Sequence, residues 1–108
     1  MKLAWGTDLL FNPAANSKQT ATIPLMGKWF TPFEVLRMIT HDNGELLAFS
    51  GKRSPYREGK LGVLEEGAYA DMILVDGNPL FNLKLMEDYN KNFTLIMKDG
   101  VVYKNTIK

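Results

Sequence analysis

The sequence predicts an α+β fold, in which helices come first and several β segments follow. Three observations indicate this class. A helix-capping signature begins at Thr31, a continuous apolar run covers Met72 to Val75, and an Asp99-Gly100 pair separates two apolar runs near the end. These signals place the helices in the first half of the chain and most of the β structure in the second.

The capping signature is the strongest helix signal. Thr31 is a favoured N-cap residue, Pro32 suits the first helical position, and Glu34 completes a capping box with Thr31. Phe30 and Val35 flank the cap at the positions of a hydrophobic staple. The sequence therefore predicts that a helix begins at Pro32.

The same periodicity predicts where this helix ends. We expect it to run to about Thr40, because Asn43-Gly44 then interrupts the apolar pattern. A second short helix is expected from Glu45 to Phe49, ended by Ser50-Gly51.

The second half of the chain has the patterns of β structure. Met72 to Val75 is short, continuously apolar and bounded by turn residues, which favours a buried strand. The Asp99-Gly100 pair predicts a hairpin that joins strands at 93–98 and 101–104. Two further elements are expected, a short strand from Leu61 to Leu64 and a helical segment from Leu80 to Tyr89.

The N-terminal part is less regular. Lys2 to Trp5 is a short apolar segment that predicts a buried strand, although the next β signal comes some fifty residues later. Asn12 to Thr22 is polar and rich in turn residues, and we expect a loop there. A lone strand at this point suggests a sheet whose other strands lie elsewhere.

Composition excludes several function classes. The chain has 108 residues, of which 45% are hydrophobic and 23% charged, as in an ordinary soluble globular protein. Its net charge of +1 gives no bulk attraction to nucleic acid or to anionic membranes. It has no cysteine, so disulfides and thiolate sites are excluded. Without a signal peptide or a membrane-spanning apolar run, a cytoplasmic location is expected.

Five segments, in this order, resemble the C-terminal part of the amidohydrolase superfamily of metal-dependent hydrolases. The resemblance is strongest to imidazolonepropionase-like and prolidase-like members. The segments are Trp5-Gly6-Thr7-Asp8, Thr31 to Thr40, Gly59 to Gly67, Ala70 to Asp76, and Ile96 to Tyr103.

The resemblance implies a particular fold and domain division. That family combines a (β/α)8 barrel with a small β-sandwich built from both chain ends. Residues 1–50 would be a remnant of the barrel, with its last strand and helix, and residues 51–108 the C-terminal portion of the sandwich. A whole barrel needs about 250 residues, so this chain does not hold one.

Asp8 is the residue most directly implied in chemistry. The resemblance places it at the C-terminal end of the last barrel strand, where the family's aspartate binds the metal and accepts a proton from water. From the residues alone, the alternative is that Asp8 caps a turn after Gly6-Thr7. The resemblance favours the catalytic role in an intact enzyme only.

The ligand count argues against activity of this chain by itself. A catalytic zinc site takes about three protein ligands, and the family's histidine pair and later ligands are missing here. The only histidine, His41, is expected near a helix end, where a structural role is favoured. No cofactor is therefore expected in this chain, although the intact family enzyme would hold a divalent metal, with zinc favoured.

Two kinds of function follow. The chain is either part of a hydrolase acting on carbon–nitrogen bonds, such as non-peptide or dipeptide-like amides, or a non-catalytic association module. In a split hydrolase, a partner chain would bear the barrel. Self-association as a dimer or higher oligomer is also expected, unless residues 1–28 remain disordered. That expectation depends on five large apolar residues that have no strand partners, Leu3, Trp5, Leu9, Leu10 and Phe11.

Overall fold

A computed structural model describes residues 1–9 and 11–108, so Leu10 lies outside the described residues. Helical segments fill the first half and a three-stranded antiparallel sheet forms most of the second. The α+β class predicted from the sequence is confirmed. No helix among the described residues is long and apolar enough to cross a membrane.

The predicted capping box forms at the start of helix α2 (Pro32–Arg37). The Thr31 side chain accepts a hydrogen bond from the backbone N–H of Glu34 at 3.3 Å. In return, the Glu34 carboxylate accepts bonds from the backbone N–H of Thr31 at 2.8 Å and from its hydroxyl at 2.9 Å. These bonds satisfy amide groups that the first turn of a helix leaves unpaired.

The predicted break at Asn43-Gly44 is wrong. Helix α2 continues into a π-helical turn at Met38–Asp42 and then directly into helix α3 (Asn43–Ala48). Gly44 is buried, and a β-carbon on it would lie 2.2 Å from the carbonyl oxygen of Leu61. This glycine permits close packing inside a helix. Local sequence does not distinguish a glycine of this kind from one that ends a helix.

The sheet has the order β1 (Met72–Val75), β2 (Phe93–Lys98) and β3 (Val101–Asn105), with both pairs antiparallel. The predicted hairpin joins β2 and β3. Asp99 and Gly100 have φ values of +48° and +77°, as a type I′ turn requires at its two central residues. The turn type matches the right-handed twist of the paired strands.

Strand β1 forms where predicted, but it is not buried. Ile73 and Leu74 are each 50% exposed, because their side chains point to opposite sheet faces and neither face is fully covered at β1. The register pairs Met72 with Met97 and Leu74 with Leu95. Since paired residues share a face, one sheet face has five apolar residues, Met72, Leu74, Leu95, Met97 and Val102, with Asn105 beside Leu95. We call these five residues the outer sheet face.

The strand predicted at Leu61 to Leu64 does not form. Gly62 has a φ of +77°, and a β-carbon on it would lie 2.1 Å from the carbonyl oxygen of Thr40. The segment is therefore a bend that packs against the π-helical turn, since a regular strand does not accommodate this backbone conformation.

The two N-terminal predictions are also wrong. No strand forms at Lys2 to Trp5 within the described residues. The segment expected as a loop is largely helical, with α1 at Pro13–Asn16 and a 3-10 helix at Gln19–Lys28. Asn12 caps α1 by accepting a bond from Ala15, so turn-forming residues here begin a helical turn.

The region from Leu80 to Tyr89 is only partly helical as predicted. A 3-10 helix covers Leu83–Met86, and helix α4 covers Tyr89–Asn92. The core lies between the 3-10 helices Gln19–Lys28 and Leu83–Met86, the run formed by α2 and the π-helical turn, and strand β2. Its buried residues are Ile23, Val35, Met38, Leu83, Met86 and Phe93, and Val35 is fully buried. Trp5 and Phe30 pack against this cluster.

Candidate functional site

The segment that carries Asp8 contacts helix α3 and the 3-10 helix Gln19–Lys28 and does not form a strand. Asp8 is exposed and has a φ of +50°, in the left-handed region that aspartate tolerates better than most residues. Its carboxylate therefore faces solvent, at a sharp change in backbone direction.

A reciprocal pair of hydrogen bonds fixes the backbone three residues before Asp8. The Trp5 N–H donates to Oδ1 of Asn43 at 2.8 Å. Nδ2 of Asn43 donates to the carbonyl oxygen of Trp5 at 3.0 Å. Both groups are partly buried, and the Trp5 side chain packs on the core. The segment is therefore attached to helix α3 by polar bonds and to the core by apolar contact.

A second attachment lies next to Asp8. The Thr7 hydroxyl is 3.5 Å from Oε1 of Gln19, at the start of the 3-10 helix Gln19–Lys28. The Leu9 carbonyl accepts a bond from the N–H of Asn12 at 3.0 Å. Contacts on both sides of Asp8 thus restrict its backbone.

Three potential metal ligands cluster in the π-helical turn and α3. Single ligand atoms of His41, Asp42 and Glu45 all lie within 4.8 Å of one another. Nδ1 of His41 is 2.9 Å from Oδ1 of Asp42, and Nε2 is 3.7 Å from Oε1 of Glu45. Sequence reasoning assigned His41 a structural role near a helix end, and it did not predict this grouping.

Cations already compensate both carboxylates of the cluster. Arg37 lies 3.2 Å from Asp42, and Lys2 lies 2.6 Å from Glu45. The hydrogen bond from His41, together with the Arg37 guanidinium, holds the pKa of the Asp42 carboxyl below its ordinary value. The hydrogen bond from Lys2 likewise lowers the pKa of Glu45. The network is therefore best described as an ion-pair cluster that links the N-terminus to the helix.

The described residues do not fit a catalytic zinc site centred on Asp8. Such a site needs about three protein ligands and an open position for water. Within residues 1–9 and 11–108, Asp8 belongs to no group of three close ligand residues, and His41 clusters with Asp42 and Glu45 instead. No catalytic step through a metal is derived from these residues.

Two shallow depressions occur on the surface of the described part of the chain, and Asp8 lines neither. The smaller, of about 280 Å³, lies beside Glu58, Tyr69 and Asp99. The larger, of about 560 Å³, lies beside Phe33, His41 and Leu80. Both are open to solvent, so neither encloses a small substrate as an active site usually does.

Comparisons with solved structures identify the fold. The crystal structure of an amidohydrolase matches with a TM-score of 0.82 and 30% sequence identity, covering 100% of this chain and 24% of that chain. A prolidase complexed with N-methylphosphonate-L-proline matches with a TM-score of 0.70 and 24% identity, over 86% of this chain and 21% of the prolidase. An ochratoxinase from A. niger matches with a TM-score of 0.66 and 24% identity, over 82% of this chain and 19% of the ochratoxinase.

The chain is thus similar, along its whole length, to about a quarter of an amidohydrolase. The resemblance to the amidohydrolase superfamily predicted from the sequence is confirmed by these structures. No protein-family model matches the chain, and no curated protein matches it either. The two matches at 24% identity show the fold alone.

Sequence reasoning missed Asn43, which was assigned only to a helix break. An asparagine inside a helix is unfavourable unless its side chain finds a specific partner, and this is the signal that was available. The partner, Trp5, is 38 positions away in the sequence, so its identity depends on the fold.

Proposed function

We propose that this chain is the C-terminal part of a metal-dependent amidohydrolase that acts on carbon–nitrogen bonds of non-peptide or dipeptide-like amides. The observation that carries the proposal is the whole-chain match to an amidohydrolase at a TM-score of 0.82. The chain spans about a quarter of that protein, so the remaining ligands would lie outside these residues.

In this proposal, residues 1–50 belong to a (β/α)8 barrel and residues 51–108 to a small β-sandwich. The exposure of β1 and the outer sheet face supports this division, because both have apolar surface that another part of a larger protein would cover. Residues 1–9 would then become the last barrel strand once neighbouring strands are present.

Asp8 is proposed as a ligand of the metal and as the general base of the intact site. Its carboxylate is exposed and follows a segment that hydrogen bonds hold to α3. A metal ion held by ligand residues outside this chain could therefore reach it. As a base, the carboxylate takes one proton from the attacking water. The water oxygen forms a bond to the amide carbon, and the carbon–nitrogen bond then breaks as the nitrogen receives the proton that Asp8 accepted and leaves as the amine. By itself, the chain is proposed to be inactive.

The alternative is an association module, and the outer sheet face favours it. A module of this kind binds through exposed apolar surface and needs no catalytic group. A split hydrolase, with the barrel on a partner chain, combines the two functions.

Purification of the natural protein tests the proposal. An antibody raised against this chain would capture the protein for intact mass measurement and for assays against acyl amino acids and dipeptides. A mass several times 12.2 kDa, or a co-purifying chain, together with hydrolysis that Asp8→Asn abolishes, supports a hydrolase. A single inactive species of 12.2 kDa would support the association module instead.

A further inference from the structure

We propose that Asn43 is a positioning residue for Asp8, because its side-chain amide fixes the Trp5 backbone and thereby determines where the Asp8 carboxylate lies. The role of Asp8 in this inference rests on the proposed function. The contacts that hold the segment are independent of it.

The hydrogen bonds of Asn43 replace those of a neighbouring β-strand. Oδ1 accepts from the Trp5 N–H, and Nδ2 donates to the Trp5 carbonyl, at 2.8 and 3.0 Å. A strand residue in an antiparallel pair exchanges the same two bonds with its partner. Only a side-chain amide offers both a donor and an acceptor in this arrangement. An aspartate in place of Asn43 would lack the donor, and an aliphatic residue would lack both groups.

Asn43 is itself held in place by the helix. Its backbone N–H donates to the carbonyl oxygens of Met38 and Thr40, across the π-helical turn. The next residue, Gly44, packs directly against the Leu61 carbonyl. A π-helical turn adds one residue to a helix and so rotates the following side chains by about 100°. This rotation contributes to directing Asn43 toward the N-terminal segment.

The anchored backbone is close enough to Asp8 to control it. Asp8 follows Trp5 by three residues, and three residues span at most roughly 10 Å. The hydroxyl of Thr7 makes a second contact, with Gln19, inside this interval. Loss of the Trp5 backbone anchor would leave the Thr7 contact and the exposed Lys2–Glu45 ion pair as the polar contacts of the segment before Asp8, so α3 would define the position of Asp8 less closely.

A purely structural role for Asn43 predicts a different result. Leucine has the same number of side-chain heavy atoms as asparagine, the same branching at Cγ and a higher helix propensity, so Asn43→Leu retains or strengthens α3. If Asn43 serves only the helix, this variant leaves the N-terminal segment unchanged. If Asn43 is the anchor, the segment loosens while the helix remains intact.

Amide hydrogen exchange measured by NMR on the 108-residue chain distinguishes these roles. Asn43→Leu is expected to speed exchange at the Trp5 amide about tenfold or more, since two hydrogen bonds are lost. Exchange at the core residue Val35 should stay within about twofold. Asn90→Leu, a matched change in helix α4, should affect neither amide. Unchanged Trp5 exchange in Asn43→Leu would overturn the proposal.

A second measurement reports on orientation. Residual dipolar couplings of the Thr7 and Asp8 amides can be fitted with the alignment tensor determined from α3. In the unmodified chain, they should agree with a single fixed orientation of these amides relative to α3. In Asn43→Leu they should become smaller, while those of α3 stay the same. Couplings that remain unchanged at Asp8 would show that Asn43 does not position it.

Activity separates this inference from the proposed function. In the natural protein, Asn43→Leu should lower kcat about tenfold or more with little change in KM, because Asp8 acts on bound substrate. If the natural protein without any substitution has no hydrolase activity, the proposed function is wrong. The exchange and coupling results still decide whether Asn43 positions Asp8.

Discussion

Gly44 lies so close to Leu61 that a β-carbon at this position would approach the Leu61 carbonyl oxygen to 2.2 Å. The reciprocal contact is similar, because a β-carbon on Gly62 would lie 2.1 Å from the carbonyl of Thr40. Two glycines therefore allow the bend at residues 61–62 to pack backbone against backbone on the long helical run.

Gly44→Ala should destabilise the chain, although alanine favours helices over glycine by about 1 kcal/mol. The obstructing atom belongs to the backbone, so relief of the clash requires the bend or the helix to move. We expect a net loss of about 2 kcal/mol, as is typical of overpacking. The midpoint of urea unfolding measures this.

Gly27→Ala is the matched control for that substitution. A β-carbon on Gly27 would meet only the Leu83 side chain, at an ordinary distance of 3.5 Å. Stability should stay the same or rise slightly. Equal losses from both substitutions would show that helical glycines matter here for some reason other than close packing.

The features that the sequence predicts correctly are those set by near neighbours. The capping box needs only Thr31 and Glu34, and the type I′ turn needs only Asp99-Gly100. Several failures depend on distant contacts. Gly44 was interpreted as a break because its partner, Leu61, is far along the chain. The burial expected for β1 depends on what covers the sheet, which local pattern does not determine.

The candidate site shows the same division. Asp8 was identified from the resemblance of a short motif, which requires no long-range information. Asn43 was missed because its importance comes from the Trp5 backbone. The grouping of His41 with Glu45 was missed because Asn43-Gly44 was interpreted as a helix break, although the two residues have the i, i+4 spacing of a continuous helix.

Thr31→Ala should destabilise the chain by about 1 kcal/mol, the usual cost of losing an N-cap side chain. The Thr31 hydroxyl accepts the N–H of Glu34, and alanine leaves that amide without its partner. Thermal or urea unfolding measures the loss. Thr31→Ser should retain most of the stability, since serine keeps the hydroxyl; equal losses in both variants would argue against a capping role.

The capping carboxylate makes stability depend on pH. Hydrogen bonds from the backbone N–H and then the hydroxyl of Thr31 lower the pKa of Glu34 from its ordinary value of 4.5. Because the folded-state pKa is the lower one, the stabilisation is fully present above 4.5 and is lost as the pH falls through the folded-state pKa.

Unfolding of the unmodified chain and of Glu34→Gln, measured from pH 7 down into the acid range, tests this linkage. The difference in stability should be largest at neutral pH and should shrink as the carboxyl is protonated. A difference that stays constant over the range would show that Glu34 acts through its shape and not through its charge.

Asp8→Asn should leave stability within about 0.5 kcal/mol, as is usual for exposed positions. Asparagine also tolerates the left-handed conformation that Asp8 adopts at a φ of +50°, so the backbone should not change. Urea unfolding measures the effect. A loss greater than about 2 kcal/mol would support the alternative in which Asp8 caps a turn.

The isolated chain should bind no zinc tightly and hydrolyse no amide. Asp8 is not grouped with two further ligands within the described residues, and cations compensate the carboxylates beside His41. Elemental analysis after dialysis and an assay with acyl-dipeptides test both parts. Stoichiometric zinc would contradict the prediction: its loss in Asp8→Asn would place the ion at Asp8, and its loss only in His41→Ala would place it in the ion-pair cluster.

The folded chain should self-associate through the outer sheet face. Met72, Leu74 and Val102 on this face are 37%, 50% and 47% exposed. Burial of apolar area contributes roughly 25 cal/mol per Å², so a few hundred Å² amounts to several kcal/mol. The edge strands β1 and β3 add unpaired backbone groups that can pair with a second copy. Sedimentation equilibrium over a concentration series should therefore give masses above 12.2 kDa at high concentration.

Charge placed on the outer sheet face should prevent this association. Leu74→Lys introduces an ammonium group on the outer sheet face, and burying it between two copies would carry a large desolvation cost. Leu64→Lys is the control, because Leu64 is 77% exposed but lies outside the sheet. The first variant should sediment as a monomer at concentrations where the second still associates. A single 12.2 kDa species for the unmodified chain at every concentration would mean that the face is not an interface between copies.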